Sequence, residues 1–202
     1  MSQATLDVVG IGNAIVDVIA HADDDFIASN GLEKGAMTLI DADRAEELYG
    51  RMGPGIEMSG GSAGNTMAGI ASLGGKGAYI GKVKDDQLGT VFRHDIRAVG
   101  VRFDSKPATE GAPTARCLIL VTPDAQRTMN TYLGAAQDLT PDDIDPAQIA
   151  AAGIIYLEGY LWDPKNAKDA FVKAATIAHG AGRQVALTLS DSFCVDRYRD
   201  EF

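Results

Sequence analysis

Four short stretches of this sequence place polar groups and glycines at spacings that can do chemistry. The first is Gly10-Ile11-Gly12-Asn13-Ala14-Ile15-Val16-Asp17. It imitates a dinucleotide-binding fingerprint, but Ile15 stands where the third glycine is needed, and a second strand follows in place of a helix. What remains is an amide, Asn13, and a carboxylate, Asp17, at the carboxyl end of a first strand. That end is the mouth of an open α/β sheet, where ligands bind. An amide and a carboxylate there can donate to and accept from neighbouring hydroxyls. The competing reading is an Asx turn joining two strands.

The second stretch is Ser59-Gly60-Gly61-Ser62-Ala63-Gly64-Asn65-Thr66, which runs directly into a helical pattern. Glycines let a backbone approach a ligand closely, and a helix N-terminus offers free N–H donors. It lacks the GK[ST] ending of a P-loop, and the stretch from Gly69 to Lys76 misses that motif as well, with Gly77 at the Ser/Thr position. The structural alternative is a loop closed by Ser62 as an N-cap. The third stretch is Gly81-Lys82-Val83-Lys84-Asp85-Asp86-Gln87-Leu88-Gly89, where Asp85 or Asp86 serves most simply as a helix cap. The fourth is Gln126-Arg127-Thr128-Met129-Asn130-Thr131-Tyr132-Leu133-Gly134. There an arginine at a hairpin turn is able to reach an anion, and Met129 and Thr131 share one strand face. An ordinary surface hairpin explains it equally well. His21, His94 and His179 are isolated, and no Ser/His/Asp, Cys/His or metal-ligand spacing appears.

The elements that must position these groups alternate. Leu6–Gly12, Ile15–Ala20, Ala36–Ile40, Ala78–Val83, Ile154–Glu158 and Gln184–Leu189 read as strands. Thr114–Val121 and Arg127–Leu133 read as a hairpin around residues 122–126. Helical periodicity follows Asp41, runs from the glycine-rich stretch to Leu73, and returns through Leu88, Val91, Phe92, Ile96 and Val99. Asp163-Pro164 reads as a cap and first residue of a helix reaching about His179. This alternation predicts a doubly wound, three-layer α/β sheet. Residues 13–40 and 101–133 break the alternation and are expected to form a small second sheet. Residues 1–12, 41–100 and 134–202 are expected to form the main body.

The chain has 202 residues and a formal net charge of −10, with 18 basic and 28 acidic residues. That length builds a core without staples. A nucleic-acid partner is not expected without a basic stripe. Cys117 and Cys194, the two cysteines, lie far apart and are expected as unpaired thiols in a reducing compartment. No apolar run approaches the roughly 20 residues of a membrane span, and the N-terminal residues lack a basic leader pattern. A cytoplasmic protein is expected.

Taken in order, these segments resemble the ribokinase-like (PfkB) kinases, adenosine kinases most closely. VVGIGNAIVDV is similar to that family's opening strand pair, and GGSAGNT to its first signature. GKVKDDQLG, QRTMNTYLGAA, IIYLEGYLWDP and LTLSDSFCV are similar to successive later segments. The resemblance implies a three-layer αβα body with a small β-sheet lid that often makes a homodimer contact. It implies ATP- and Mg²⁺-dependent transfer of a phosphoryl group to a primary hydroxyl of a nucleoside or sugar. By position, Asn13 and Asp17 would bind ribose hydroxyls, with Gly60, Gly61 and Asn65 completing the pocket. Met129, Thr131, Leu161 and Phe193 would line the space for a base, and Arg127 would lie near the transferred phosphate. The family's second signature, a GAGD-type stretch carrying the anion hole and the Asp base, does not occur within the 202 residues. The expectation is an acceptor-binding portion without a catalytic residue of its own, with an exposed sheet edge prone to aggregation. The competing readings are a non-catalytic binding or dimerising module, a kinase for a simple sugar such as ribose or fructose, and, on GIGN alone, a nicotinamide oxidoreductase.

Overall fold

A computed structural model describes residues 4–202; the first part of the N-terminal stretch read for a leader, Met1-Ser2-Gln3, lies outside them. Four strands form a parallel sheet: β1 (Leu6–Ile11), β5 (Gly77–Ile80), β8 (Ala152–Glu158) and β9 (Gln184–Thr188), in the order β5-β1-β8-β9. Helix α3 (Ser62–Ser72) covers one face; α5 (Pro146–Ala151) and α6 (Lys165–Gly180) cover the other. The alternation along β1 shows why. Val9 and Ile11 point into the α5/α6 core, while Val8 and Gly10 lie under Met67 of α3. A strand buried on both faces must be apolar on both, which is the pattern of Leu6–Ile11.

The chain leaves this sheet through Gly12–Ala14 and enters a second one. Its strands are β2 (Ile15–His21), β3 (Met37–Leu39), β4 (Gly55–Gly60), β6 (Ala115–Val121) and β7 (Arg127–Tyr132), in the order β3-β7-β6-β2-β4. Helix α4 (Gln87–Ala98) packs on β4 and β2, and α2 (Ala42–Arg51) packs on β7 and β6. A short α1 (Asp24–Ser29) sits between β2 and β3, and α7 (Ser192–Tyr198) follows β9. Val16, Val18 and Leu118 bury the helix-covered face. The opposite face carries Ile15, Asp17, Cys117, Ile119, Met129 and Thr131 and turns toward the carboxyl ends of β1 and β8.

Several local expectations change. Gly55–Gly60, read as part of a glycine-rich loop, is an edge strand paired antiparallel with β2. Glycine masks strand propensity in a sequence, and the pairing comes from β2. The strand expected over 78–83 stops at Ile80. Helix α6 starts with Pro164 as its N-cap, because the Asp163 carboxylate is taken by Arg197 and Tyr198. Asp86 does cap α4, accepting from Gly89 N at 2.7 Å, and it also accepts from the Thr114 amide and hydroxyl at 2.9 and 2.6 Å. The third stretch is thereby occupied in tying a helix start to β6. Cys117 and Cys194 are both unpaired and buried. Among the described residues, no helix is long and apolar enough to cross a membrane.

Candidate active site

Three walls meet around a cleft of about 330 Å³, within the roughly 300–1,000 Å³ of small-molecule sites. The first wall is the carboxyl end of the parallel sheet: Asn13 after β1, Glu158 at the end of β8, and Gly61, Ser62 and Asn65 at the start of α3. The second is the open face of the other sheet, with Ile15, Asp17, Cys117, Arg127, Met129 and Thr131. The third is Tyr160 and Asp163, from the 3₁₀ turn Gly159–Trp162 and the residue after it, with Asp191 and Phe193 from the start of α7.

Glu158 organises the first wall. It is buried, at 1 % exposure, and its carboxylate takes four donors. Asn13 gives its backbone N–H at 2.6 Å and its Nδ2 at 3.0 Å to Oε2; Ala63 N gives 3.0 Å to Oε1, joined there by the Ser62 hydroxyl. Ser62 is therefore not the N-cap of α3; Gly61 holds that position without a side-chain bond. The Ala63 amide is spent on Glu158, and the Asn65 amide on Gly61 O at 2.8 Å. With Nδ2 fixed on Glu158, the Asn13 Oδ1 is buried and has no partner. A buried acceptor without a donor is costly unless a ligand or water supplies one.

Asp17 stands on β2 in register with Cys117 of β6, which is in register with Thr131 of β7. Burial pushes its carboxyl up to about 6, partly offset by the positive charge of Arg127. The same burial pushes the Cys117 thiol up to about 12, so it is an unreactive neighbour that accepts from the Thr131 hydroxyl at 3.2 Å. Gly60 does not line the cleft. It makes room, because a Cβ there would come within 2.2 Å of the Asp17 carboxylate. Gly61 has φ +81°, and a Cβ would meet Asn13 O at 2.5 Å. Gly12, the second glycine of the failed fingerprint, vacates the space into which Glu158 reaches.

In the third wall, Tyr160 and Phe193 set their rings 5.8 Å apart. The Tyr160 hydroxyl is pushed up to about 12, first by burial and then by Asp191, and stays a neutral donor. Asp163 accepts two bonds from Arg197 at 2.7 and 2.8 Å and one from Tyr198, which latches α7 over the cleft.

Of the residues expected from sequence, Asn13, Asp17, Gly61, Asn65, Arg127, Met129, Thr131 and Phe193 line this one cleft. Leu161 does not. It is fully buried in the main-sheet core, because successive residues of a 3₁₀ turn point about 120° apart and its neighbour Tyr160 takes the cleft side. Sequence reading missed Glu158, Tyr160, Asp163 and Asp191. A glutamate closing an otherwise apolar strand was the available signal for Glu158, since a carboxylate there needs partners.

A parallel sheet sandwiched by helices, with a second sheet facing the carboxyl ends of its strands across a polar cleft, defines a ribokinase-like small-molecule kinase scaffold. The family model for pfkB family carbohydrate kinases matches residues 35–201, and the chain belongs to that family. It is similar to the crystal structure of adenosine kinase from Sinorhizobium meliloti, with 62% identity and a TM-score of 0.90 over 98% of this chain and 61% of that one. It is also similar to a probable sugar kinase from Rhizobium etli, with 57% identity and a TM-score of 0.91 over 99% of this chain and 61% of that one. Among curated relatives, guanosine-inosine kinase of Escherichia coli is 29% identical over 199 residues, 93% of this chain and 46% of that protein. The chain thus spans less than half the length of that relative.

At the start of α3 the Ala63 amide is bonded to Glu158 and the Asn65 amide to Gly61 O, and among the described residues no group of three His, Cys, Asp or Glu is placed to hold a metal ion.

Proposed function

We propose that these 202 residues form the acceptor-binding portion of an ATP- and Mg²⁺-dependent kinase that phosphorylates a primary hydroxyl of a nucleoside, adenosine before a plain sugar. The nucleotide site and the general base lie outside them in this reading, and residues 1–202 transfer no phosphate alone. The observation that carries it is the pairing of Asn13 and Asp17 in one cleft: a buried amide oxygen without a partner, and a partly buried carboxylate. Both are acceptors, and a ribose presents vicinal hydroxyl donors. Asp17 takes the two hydroxyl protons and Asn13 Oδ1 a further one. Gly61 and Asn65 close the sugar pocket, and Met129, Thr131 and Phe193 face the base. Arg127 lies near the transferred phosphate, where its charge would offset the phosphate's own.

The choice of nucleoside over sugar rests on the Tyr160–Phe193 pair, a surface that a flat base covers and a bare pentose or hexose leaves empty. The similarity to the adenosine kinase of Sinorhizobium meliloti supports it, while that to the probable sugar kinase of Rhizobium etli leaves the sugar reading as the alternative. A homodimer through the second sheet and a cytoplasmic location remain part of the same proposal. Thermal-shift screening of nucleosides against pentoses and hexoses tests the choice. Stabilisation by adenosine and not by ribose or fructose is expected; the reverse order replaces the nucleoside with a sugar.

A further inference from the structure

We propose that Asp191 is a specificity-determining residue that selects a nucleobase carrying an exocyclic amine. The inference rests on the nucleoside reading above and extends it to the third wall of the same cleft. Asp191 sits in the turn between β9 and α7, and that turn is held in a demanding conformation. Ser190 has φ +66°, a left-handed setting that costs a non-glycine residue on the order of 1–2 kcal/mol. Surrounding structure enforces it. Tyr160 N donates to Ser190 Oγ at 3.0 Å, and Ser190 N donates to Thr188 Oγ1 at 3.2 Å. Gly159 lets the turn pack closely, since a Cβ there would lie 2.6 Å from Thr188 O. Strain maintained by several contacts at a cleft marks a group whose placement matters.

The carboxylate so placed retains free acceptor capacity. Its Oδ1 accepts from the Ser192 hydroxyl at 3.0 Å, and the Tyr160 hydroxyl lies 3.5 Å from Oδ2. A carboxylate offers about four acceptor positions. The arginines that follow in α7 and just beyond it are engaged elsewhere, Arg197 with Asp163 and Arg199 with Asp196. Asp191 therefore presents an acceptor-only group beside the Tyr160–Phe193 rings. A base lying against those rings meets it edge-on. An amine donating to it gains a charge-assisted hydrogen bond, whereas a C–H in the same place desolvates the carboxylate without return. The buried, unpartnered Asn13 Oδ1 of the same cleft independently points to a ligand there.

Calorimetry with adenosine and with purine riboside, the same nucleoside without the amine, tests this on the parent chain, Asp191→Ala and Asp191→Asn. The parent should favour adenosine by about tenfold. Asp191→Ala should bring the two within about twofold while purine riboside binds at least as tightly as to the parent, which also reports an intact fold. Asp191→Asn, which keeps one acceptor, should fall between them. Equal parent affinities, a preference that survives Asp191→Ala, or an equal loss of both ligands in that variant would each overturn the assignment. Binding of neither nucleoside alongside binding of a plain sugar would instead overturn the nucleoside reading on which it rests.

Discussion

Asn13 and Glu158, 145 positions apart in the chain, are joined twice: the backbone N–H and the side-chain Nδ2 of Asn13 both reach Glu158 Oε2, at 2.6 and 3.0 Å. The double bond to one oxygen fixes the rotamer of Asn13 and its amide orientation together. Oδ1 is left buried and without a partner on a residue that lines the cleft. The carboxyl end of β8 thereby dictates what the turn after β1 offers a ligand.

Glu158→Ala should destabilise the chain strongly. It strands four donors, two of them backbone amides, at a buried position. Each unsatisfied buried donor costs about 1–3 kcal/mol, so a loss of at least about 3 kcal/mol in urea unfolding is expected. Glu158→Gln keeps the shape but puts an NH₂ against donors, and about 1–3 kcal/mol is expected. Both variants should also lose acceptor affinity, because Asn13 is released.

Gly61→Ala should damage the site from the backbone side. The residue sits at φ +81° and abuts the carbonyl of Asn13. This positive-φ, extended-ψ setting, open essentially to glycine alone, costs alanine about 1–3 kcal/mol, and relieving the clash moves Asn13. Lower unfolding free energy together with at least about tenfold weaker acceptor binding is expected. Unchanged binding would mean that Asn13 does not set the site.

How legible this was in the sequence varies with how local the cause is. The strands β1 and β8, the hairpin β6–β7 and the caps at Asp41 and Asp86 follow from short-range pattern, and Arg44 N and Gly89 N bond those caps at 2.8 and 2.7 Å. Asn13, Gly61 and Asn65 were readable because they stand at a strand end or helix start, and Asp17 because it is a carboxylate in an otherwise apolar stretch, although it lies inside β2. Glu158 and Asp191 were not, because their roles lie in partners reached across the fold. Leu161 misled because a 3₁₀ turn separates neighbours that a strand or loop model would place together. β4 hid because glycines open and close it, Gly60 making room for Asp17, and only its pairing with β2 makes it a strand.

Asp17 should give stability and binding opposite pH dependences. Its folded carboxyl is raised to about 6 from 3.8. A raised carboxyl favours the folded state fully below the unfolded value and loses that contribution as pH rises through about 6. At pH 7 its ionisation costs on the order of 2–3 kcal/mol, at about 1.4 kcal/mol per unit. Asp17→Asn should therefore gain stability relative to the parent between pH 4 and 7. Acceptor binding runs the other way, since hydroxyl donors require the carboxylate, and affinity should fall up to about tenfold per pH unit below 6. Chemical unfolding and calorimetry at pH 5, 6 and 7 check both signs.

The outer side of β9 has no neighbouring strand among the described residues, and Leu187 in that strand and Leu189 just beyond its end are 37% and 47% exposed. An open apolar edge is a template for association. Concentration-dependent self-association is expected by size-exclusion chromatography, reduced by Leu187→Lys. A clean monomer at high concentration in the parent would count against this.

The most direct test of the account is isothermal titration of adenosine into the parent chain and into Asp17→Ala at pH 7.5. A hydrogen bond to a charged group contributes roughly 1.5–3 kcal/mol, so the variant should bind about ten- to a hundredfold more weakly, with its fold intact by circular dichroism. Equal affinity in the two proteins would remove Asp17 from the site and contradict the claim that this cleft holds the acceptor's hydroxyls.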